Sequence, residues 1–124
     1  LVGFDTKIDT LEAKFNSIEQ SYSIIVKERE VEIHAQNELK RKDIESDITE
    51  LKLIRAQSEK DGIVTTLTLI KGNKYVGRYY EQLWIMLTRP SVRGITNIAQ
   101  TRELVQKYLD EEISKLQTEL AKLQ

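Results

Sequence analysis

Residues 4 to 61 contain neither glycine nor proline, and the chain of 124 residues has five glycines and one proline in all. Both residues interrupt regular helices, proline through its missing backbone N–H and glycine through its conformational freedom. Charged side chains make up 31% of the chain, so solvated helix surfaces are abundant. The sequence predicts a mainly α fold, and its length fits a single domain.

A stripe of apolar residues near the N-terminus repeats every seven positions. Its members, which we call the N-terminal stripe, are Ile8, Leu11, Phe15, Ile18, Tyr22 and Ile25. Alternating spacings of three and four are the a/d repeat of coiled coils and helical bundles. The rings of Phe15 and Tyr22, at two of the three a positions, are wider than the side chains that suit a tight two-stranded zipper. A seam of a bundle or hairpin is therefore favoured.

A second stripe lies at the C-terminal end of the chain. Val105 precedes it, and its remaining members, at spacings of 4, 3, 4 and 3, are Leu109, Ile113, Leu116, Leu120 and Leu123. We call these six residues the C-terminal stripe. The economical arrangement folds this helix back antiparallel against the N-terminal stripe, giving an elongated helical hairpin or small helix bundle with coiled-coil-like seams. The alternative pairs each stripe with another copy, and this self-association is slightly favoured because one hairpin covers a long seam on one side only.

The chain before the C-terminal helix divides into an arm and a head. The arm, 5–58, would be ~80 Å long as one helix at 1.5 Å per residue, so it bends within 27–43 or the molecule is elongated. Apolar spacing returns in the arm at Ile44, Ile48 and Leu51, with Leu53 and Ile54 widening it. The head spans 59–94, and the C-terminal helix spans 95–124.

Within the head, residues 63–70 include six β-branched side chains among eight, which predicts a strand and a short β element over 63–76. The competing interpretation continues the helix to Gly72 and begins a new one at Asn73. A helix over 78–88, ended by Pro90, is predicted from apolar residues at helical spacing.

Positive charge and aromatic rings concentrate in the same part of the head. Residues 71–102 carry six basic side chains and one acidic, a net of +5 in a chain of net −1. The candidate interaction surface, which we call the basic aromatic head, consists of Lys71, Lys74, Tyr75, Arg78, Tyr79, Trp84, Arg89 and Arg93. The favoured interpretation is an aromatic plug of the core with arginines around it. A protein-docking surface is the second, and a surface for nucleic acid or anionic lipid headgroups is the third.

Little in the sequence points to catalysis. There is one histidine and no cysteine, and no phosphate-binding glycine loop or zinc-protease motif occurs. His34 between Glu30 and Glu38 fits an ordinary charged helix surface better than a metal site. We therefore expect a protein that is not an enzyme, with no catalytic residue, cofactor or metal.

The expected function is a scaffold or protein-protein interaction module, a structural coiled coil that presents the basic aromatic head and forms a homo-oligomer through its stripes. Two alternatives stand beside it. Because the chain starts at Leu1 without Met, it fits an extracytoplasmic sensor or spacer domain of a protein whose membrane anchor lies outside this chain. The other alternative is binding of nucleic acid or an anionic surface through 71–102. The sequence does not indicate a compartment.

Overall fold

The computed structural model of the chain describes residues 2–60, 62–89 and 97–123. Four helices, α1 to α4 in chain order, and one 3₁₀ turn after α2 account for most of these residues: Val2–Lys60, Ile63–Lys71, Gly77–Tyr79 (the 3₁₀ turn), Tyr80–Thr88 and Ile98–Lys122. The described ranges contain no strand. The predicted mainly α class is confirmed, and the helical bundle with it.

The chain divides into two compact units. The first, residues 1–40, contains the N-terminal part of α1. The second, residues 41–124, contains the rest of α1 together with α2, α3 and α4. The hydrophobic core lies in the second unit, since every buried apolar residue belongs to it.

Each helix of the second unit contributes one face to this core. The buried apolar residues, between 0% and 9% exposed, are Ile48, Leu51, Ile54, Ile63, Leu67, Ile70, Val76, Leu83, Val105, Leu109, Ile113 and Leu116. Full burial of such a side chain contributes about 1.5–3 kcal/mol. The apolar spacing predicted at Ile48, Leu51 and Ile54 is confirmed, whereas Leu53 is 63% exposed and lies outside the core.

The predicted strand over 63–70 is wrong, because these residues form helix α2. Its buried residues are Ile63, Thr66, Leu67 and Ile70, which follow the spacing i, i+3, i+4 and i+7 of one helical face. The packing of that face outweighs the strand preference of β-branched residues, which is strongly context-dependent. Of the competing interpretation, the helix end at Gly72 is confirmed by the C-cap at that residue. Its new helix at Asn73 is wrong, because the 3₁₀ turn begins at Gly77 and α3 begins at Tyr80.

A turn built on Asn73 connects α2 to the 3₁₀ turn. The Asn73 Oδ1 accepts hydrogen bonds from the backbone N–H groups of Tyr75, at 2.8 Å, and Val76, at 3.1 Å. Its Nδ2 donates to Glu50 Oε1 of α1 at 3.3 Å. Asn73 is 4% exposed, so its side chain satisfies polar groups where water is scarce. At Gly77 the backbone passes so close that an added Cβ would lie 3.2 Å from the carbonyl oxygen of Lys71.

Helix α4 runs antiparallel to the part of α1 in the second unit. Arg55 Nε donates to Asp110 Oδ1 at 3.0 Å, and Gln106 Nε2 donates to Ser58 Oγ at 3.2 Å. Residue 55 pairs with residue 110 and residue 58 with residue 106, so the two helices form an antiparallel hairpin. The predicted pairing of α4 with the N-terminal stripe is wrong, because all six residues of that stripe are exposed. The region of α1 in these contacts lies at residues 55 and 58 and not in the N-terminal stripe.

Helix α3 ends at Thr88, as predicted, while Pro90 and residues 91–96 lie outside the described residues. Asn97 stands at the N-cap of α4, but its side chain makes no cap hydrogen bond. Its Nδ2 donates instead to the backbone carbonyls of Met86, at 3.0 Å, and Arg89, at 3.2 Å. This side chain therefore joins the start of α4 to the end of α3.

Candidate functional site

The N-terminal stripe is exposed along its whole length. Exposures within the stripe are 40% for Ile8, 65% for Leu11, 61% for Phe15, 66% for Ile18, 70% for Tyr22 and 59% for Ile25. Single exposed apolar residues are ordinary on protein surfaces, but a contiguous apolar row marks a site of interaction. The stripe is therefore the first candidate site of the molecule.

The C-terminal stripe is used within the chain. Val105, Leu109, Ile113 and Leu116 are at most 9% exposed, and Leu120 packs against the core from a partly buried position. Leu123, just after the last residue of α4, is also partly buried. Of the two predicted seams, the C-terminal stripe is buried in the core of the second unit, whereas the N-terminal stripe is exposed.

In the basic aromatic head, Lys74 and Tyr75 converge on one carboxylate of α1. The Lys74 Nζ lies 2.9 Å from Asp47 Oδ2, and the Tyr75 hydroxyl donates a short hydrogen bond to the same oxygen. Burial alone would raise the pKa of Asp47, but the hydrogen bonds from Tyr75 and Lys74 and the lysine charge lower it overall. The hydrogen bond to Asp47 raises the pKa of Lys74, and burial raises that of Tyr75.

Arg78 is held in a second polar cluster, between the 3₁₀ turn and α4. Its Nη2 donates to Glu112 Oε1 and, at 2.9 Å, to the hydroxyl of Tyr79. Lys115 Nζ approaches the same Glu112 oxygen at 3.4 Å. The Tyr79 ring stacks on that of Tyr108 with 3.9 Å between centroids. Glu112 is 5% exposed, so its carboxylate is paired where an unpaired charge would be costly.

The remaining members of the head lie nearer to solvent. Lys71 Nζ is 5.2 Å from the centroid of the Tyr80 ring, a cation-π distance, and Tyr80 stacks at 6.4 Å on Trp84. Trp84 is 40% exposed, so the core-plug interpretation is wrong for this residue, while Leu83 beside it is buried. Arg89 is exposed, and Arg93 lies outside the described residues.

The clusters around Asp47 and Glu112 give the basic aromatic head a structural role. Lys74 and Arg78 each have a carboxylate partner in another helix, and Lys71 has an aromatic one. Their charges are partly neutralised by contacts that hold the 72–79 region against α1 and α4. The side chains of Lys74 and Arg78 remain 65% and 55% exposed beside their carboxylate partners, and Trp84 and Arg89 are exposed without such a partner among the described residues.

The cluster residues Asp47, Tyr108 and Glu112, and Asn73 in the adjoining turn, were not among the predicted site residues. Asn73 follows Gly72, a pairing typical of turns, and this was the usable signal. Tyr108 and Glu112 lie on α4 one turn apart, and nothing local marks them as partners of residues about 30 positions earlier.

Within the described ranges, no group of three or more His, Cys, Asp or Glu side chains is arranged to hold a metal ion. None of the described helices has a segment both long enough and apolar enough to cross a membrane.

Comparison with models of known protein families, with curated proteins and with solved structures finds no match. The functional argument therefore depends on the geometry of the chain itself.

Proposed function

We propose that this chain is a non-enzymatic scaffold module that assembles with further copies of itself through the N-terminal stripe. The observation that carries the proposal is the exposure, between 40% and 70%, of all six apolar side chains at a/d spacing on one helix. Helices with this repeat bury it against other helices, and helices in proteins gain most of their stability from such packing.

The area of the stripe is sufficient for a stable contact. Burying the exposed part of a large apolar side chain removes on the order of 100 Å² from water. Six such side chains give about 600 Å² per copy before flanking residues are counted, near the ~800 Å² that each partner contributes to a typical stable interface.

A second copy is the occupant that the remaining surfaces favour. The C-terminal stripe, the only other long a/d repeat in the sequence, has its first four members at most 9% exposed and already packed in the core. A heptad stripe is complementary to itself, since each a or d side chain fits between four side chains of an equivalent helix. Self-assembly therefore satisfies the exposed stripe without requiring another protein.

The other two functions considered from the sequence draw less support. For binding of nucleic acid or an anionic surface, Lys74 and Arg78 would have to leave Asp47 and Glu112, or act while partly neutralised. For a membrane-anchored spacer, no contact or charge of the described residues favours that role over a scaffold of another kind.

The test compares two substitutions of the same residue type on the same helix. Ile18 lies in the stripe and is 66% exposed, whereas Ile24 is 56% exposed and occupies an outward c position of the heptad. We expect Ile18→Asp to sediment at 14.4 kDa and Ile24→Asp to keep the larger mass of the unmodified chain. Circular dichroism checks that both variants remain helical. Equal masses for the two variants would refute an interface at the stripe.

A further inference from the structure

The charged residues beside the N-terminal stripe are sorted by sign. With Ile8, Phe15 and Tyr22 as a positions, the g positions that precede the first two of them hold Lys7 and Lys14. The e positions, which follow the d residues, hold acidic side chains over the same stretch: Asp5, Glu12 and Glu19. One edge of the stripe is therefore basic and the other acidic, and all five side chains are exposed.

The lysines and glutamates beside the stripe do not form ion pairs with one another along their own helix. Lys7 and Lys14 have no acidic residue three or four positions away in either direction, and Glu12 and Glu19 have no basic one. Favourable pairs on a helix surface need that spacing. In the part of the chain that the structure describes, no ion pair involves any of the four. Their arrangement is not explained by the stability of α1 alone.

We infer that the N-terminal stripes of two or more copies pack parallel and in register, an inference that rests on the self-assembly proposed above. In a parallel in-register seam, a g residue faces the e residue five positions later on the neighbouring helix. Lys7 then faces the partner copy's Glu12, and Lys14 faces the partner copy's Glu19. By symmetry the two pairs occur twice between two helices, which gives four opposite-charge contacts.

An antiparallel seam brings like charges together. When two copies run in opposite directions, the basic edge of one lies beside the basic edge of the other, and the acidic edges meet in the same way. Lys7 and Lys14 would face lysines, while Glu12 and Glu19 would face carboxylates. Like charges at such positions suppress the wrong orientation, which is how e and g residues select partners and direction.

Register is selected by the same residues. A parallel shift by one heptad leaves three opposite-charge contacts between two helices in place of four, one of them between Lys7 and Asp5, and it reduces the apolar seam from six layers to four. The unshifted arrangement keeps all six apolar layers, each formed by the same residue from every copy. Charge and apolar packing therefore favour the same alignment.

The decisive experiment reverses one edge and then both. In Lys7→Glu/Lys14→Glu, a parallel seam has acidic residues on both edges, and we expect self-association about 30-fold weaker at low salt. Adding Glu12→Lys/Glu19→Lys exchanges the charges of the two edges, so the variant with all four substitutions should self-associate as tightly as the unmodified chain. High salt should reduce the difference in dissociation constant between the Lys7→Glu/Lys14→Glu variant and the unmodified chain. Dissociation constants come from sedimentation equilibrium at fixed pH.

The outcomes separate the orientation from the assembly itself. An antiparallel seam predicts no weakening in the twofold variant, because both of its edges already repel in the unmodified chain. If the twofold variant associates normally while Ile18→Asp is monomeric, the parallel inference is overturned and the stripe interface remains. If Ile18→Asp also associates normally, both proposals fall.

A direct distance measurement gives an independent readout, because the chain contains no cysteine. Asp9 and Ser23 are exposed b positions at the two ends of the stripe, and Asp9→Cys and Ser23→Cys each accept one spin label. In a parallel assembly, each label lies level with the same label of its partner, and labels at 9 and 23 of different copies are about 20 Å apart along the axis. Short distances only in the mixed sample would overturn the inference.

Discussion

Removing the side chain of Asn73 tests how the head is held against the rest of the second unit. Asn73→Ala deletes the acceptor for the backbone N–H groups of Tyr75 and Val76 and the donor to Glu50. Val76 is 1% exposed, so water cannot easily replace the lost acceptor there. Tyr75 is half-buried and Glu50 is exposed, so these two groups recover part of their hydrogen bonding from solvent.

The expected cost follows from those burials. An unsatisfied buried donor costs about 1–3 kcal/mol, and a partly solvated one costs less. One buried and one half-buried N–H group together give a loss of about 2–4 kcal/mol in the free energy of unfolding. This is a large fraction of the stability of a small domain.

Urea unfolding followed by circular dichroism at one fixed protein concentration measures the loss, since assembly would otherwise shift the midpoint. Asn73→Asp keeps an acceptor oxygen but places a carboxylate beside Glu50, so we expect an intermediate loss. Asn16→Ala, at an exposed position of α1, is the matched control and should change the free energy by about 0.5 kcal/mol or less. A similarly small change for Asn73→Ala would refute the role of this side chain.

Two further predictions concern the second unit. Leu116 is 4% exposed in the core, so Leu116→Asp buries a charge without a partner. We expect it to lower the urea midpoint by more than any substitution in the N-terminal stripe. A midpoint like that of Ile24→Asp would contradict the packing of the C-terminal stripe in the core. The lowered pKa of Asp47 contributes stability that is complete above the unfolded pKa of about 4 and is lost as the pH falls through the folded value. The unfolding free energy should therefore decline on acidification from pH 5, and Asp47→Asn should make that decline shallower. An unchanged acid slope in urea unfolding would contradict the Asp47 account.

The helical class and most of the core could be predicted because both depend on local patterns. The absence of helix breakers over 4–61 indicated α1, and the spacing of Val105, Leu109, Ile113 and Leu116 indicated the buried face of α4. Both patterns come from residues close together in the sequence, and the structure contains the helices that they predicted.

The strand prediction over 63–70 failed because composition was given more weight than period. Six β-branched residues favoured a strand, but Ile63, Thr66, Leu67 and Ile70 already formed a helical apolar face. A nine-residue helix has little stability of its own, so the packing of that face decides the outcome. The period was the better guide.

The long-range parts of the candidate sites could not be read from the sequence. Charge patterning located the basic aromatic head, yet the partners of Lys74 and Arg78 are Asp47 and Glu112, 27 residues before and 34 residues after. Which stripe would remain exposed was equally hidden, because it depends on α4 packing against the second half of α1. Only tertiary packing distinguishes an apolar stripe that is buried within the chain from one that remains exposed.

Sedimentation equilibrium of the unmodified chain, over a range of concentrations and at two salt concentrations, tests self-assembly through the N-terminal stripe most directly. We expect a whole-number multiple of 14.4 kDa that dissociates on dilution and persists, somewhat weakened, at high salt, because the seam is apolar and its edges are charged. A mass of 14.4 kDa at every concentration and in both salts would contradict the proposed scaffold.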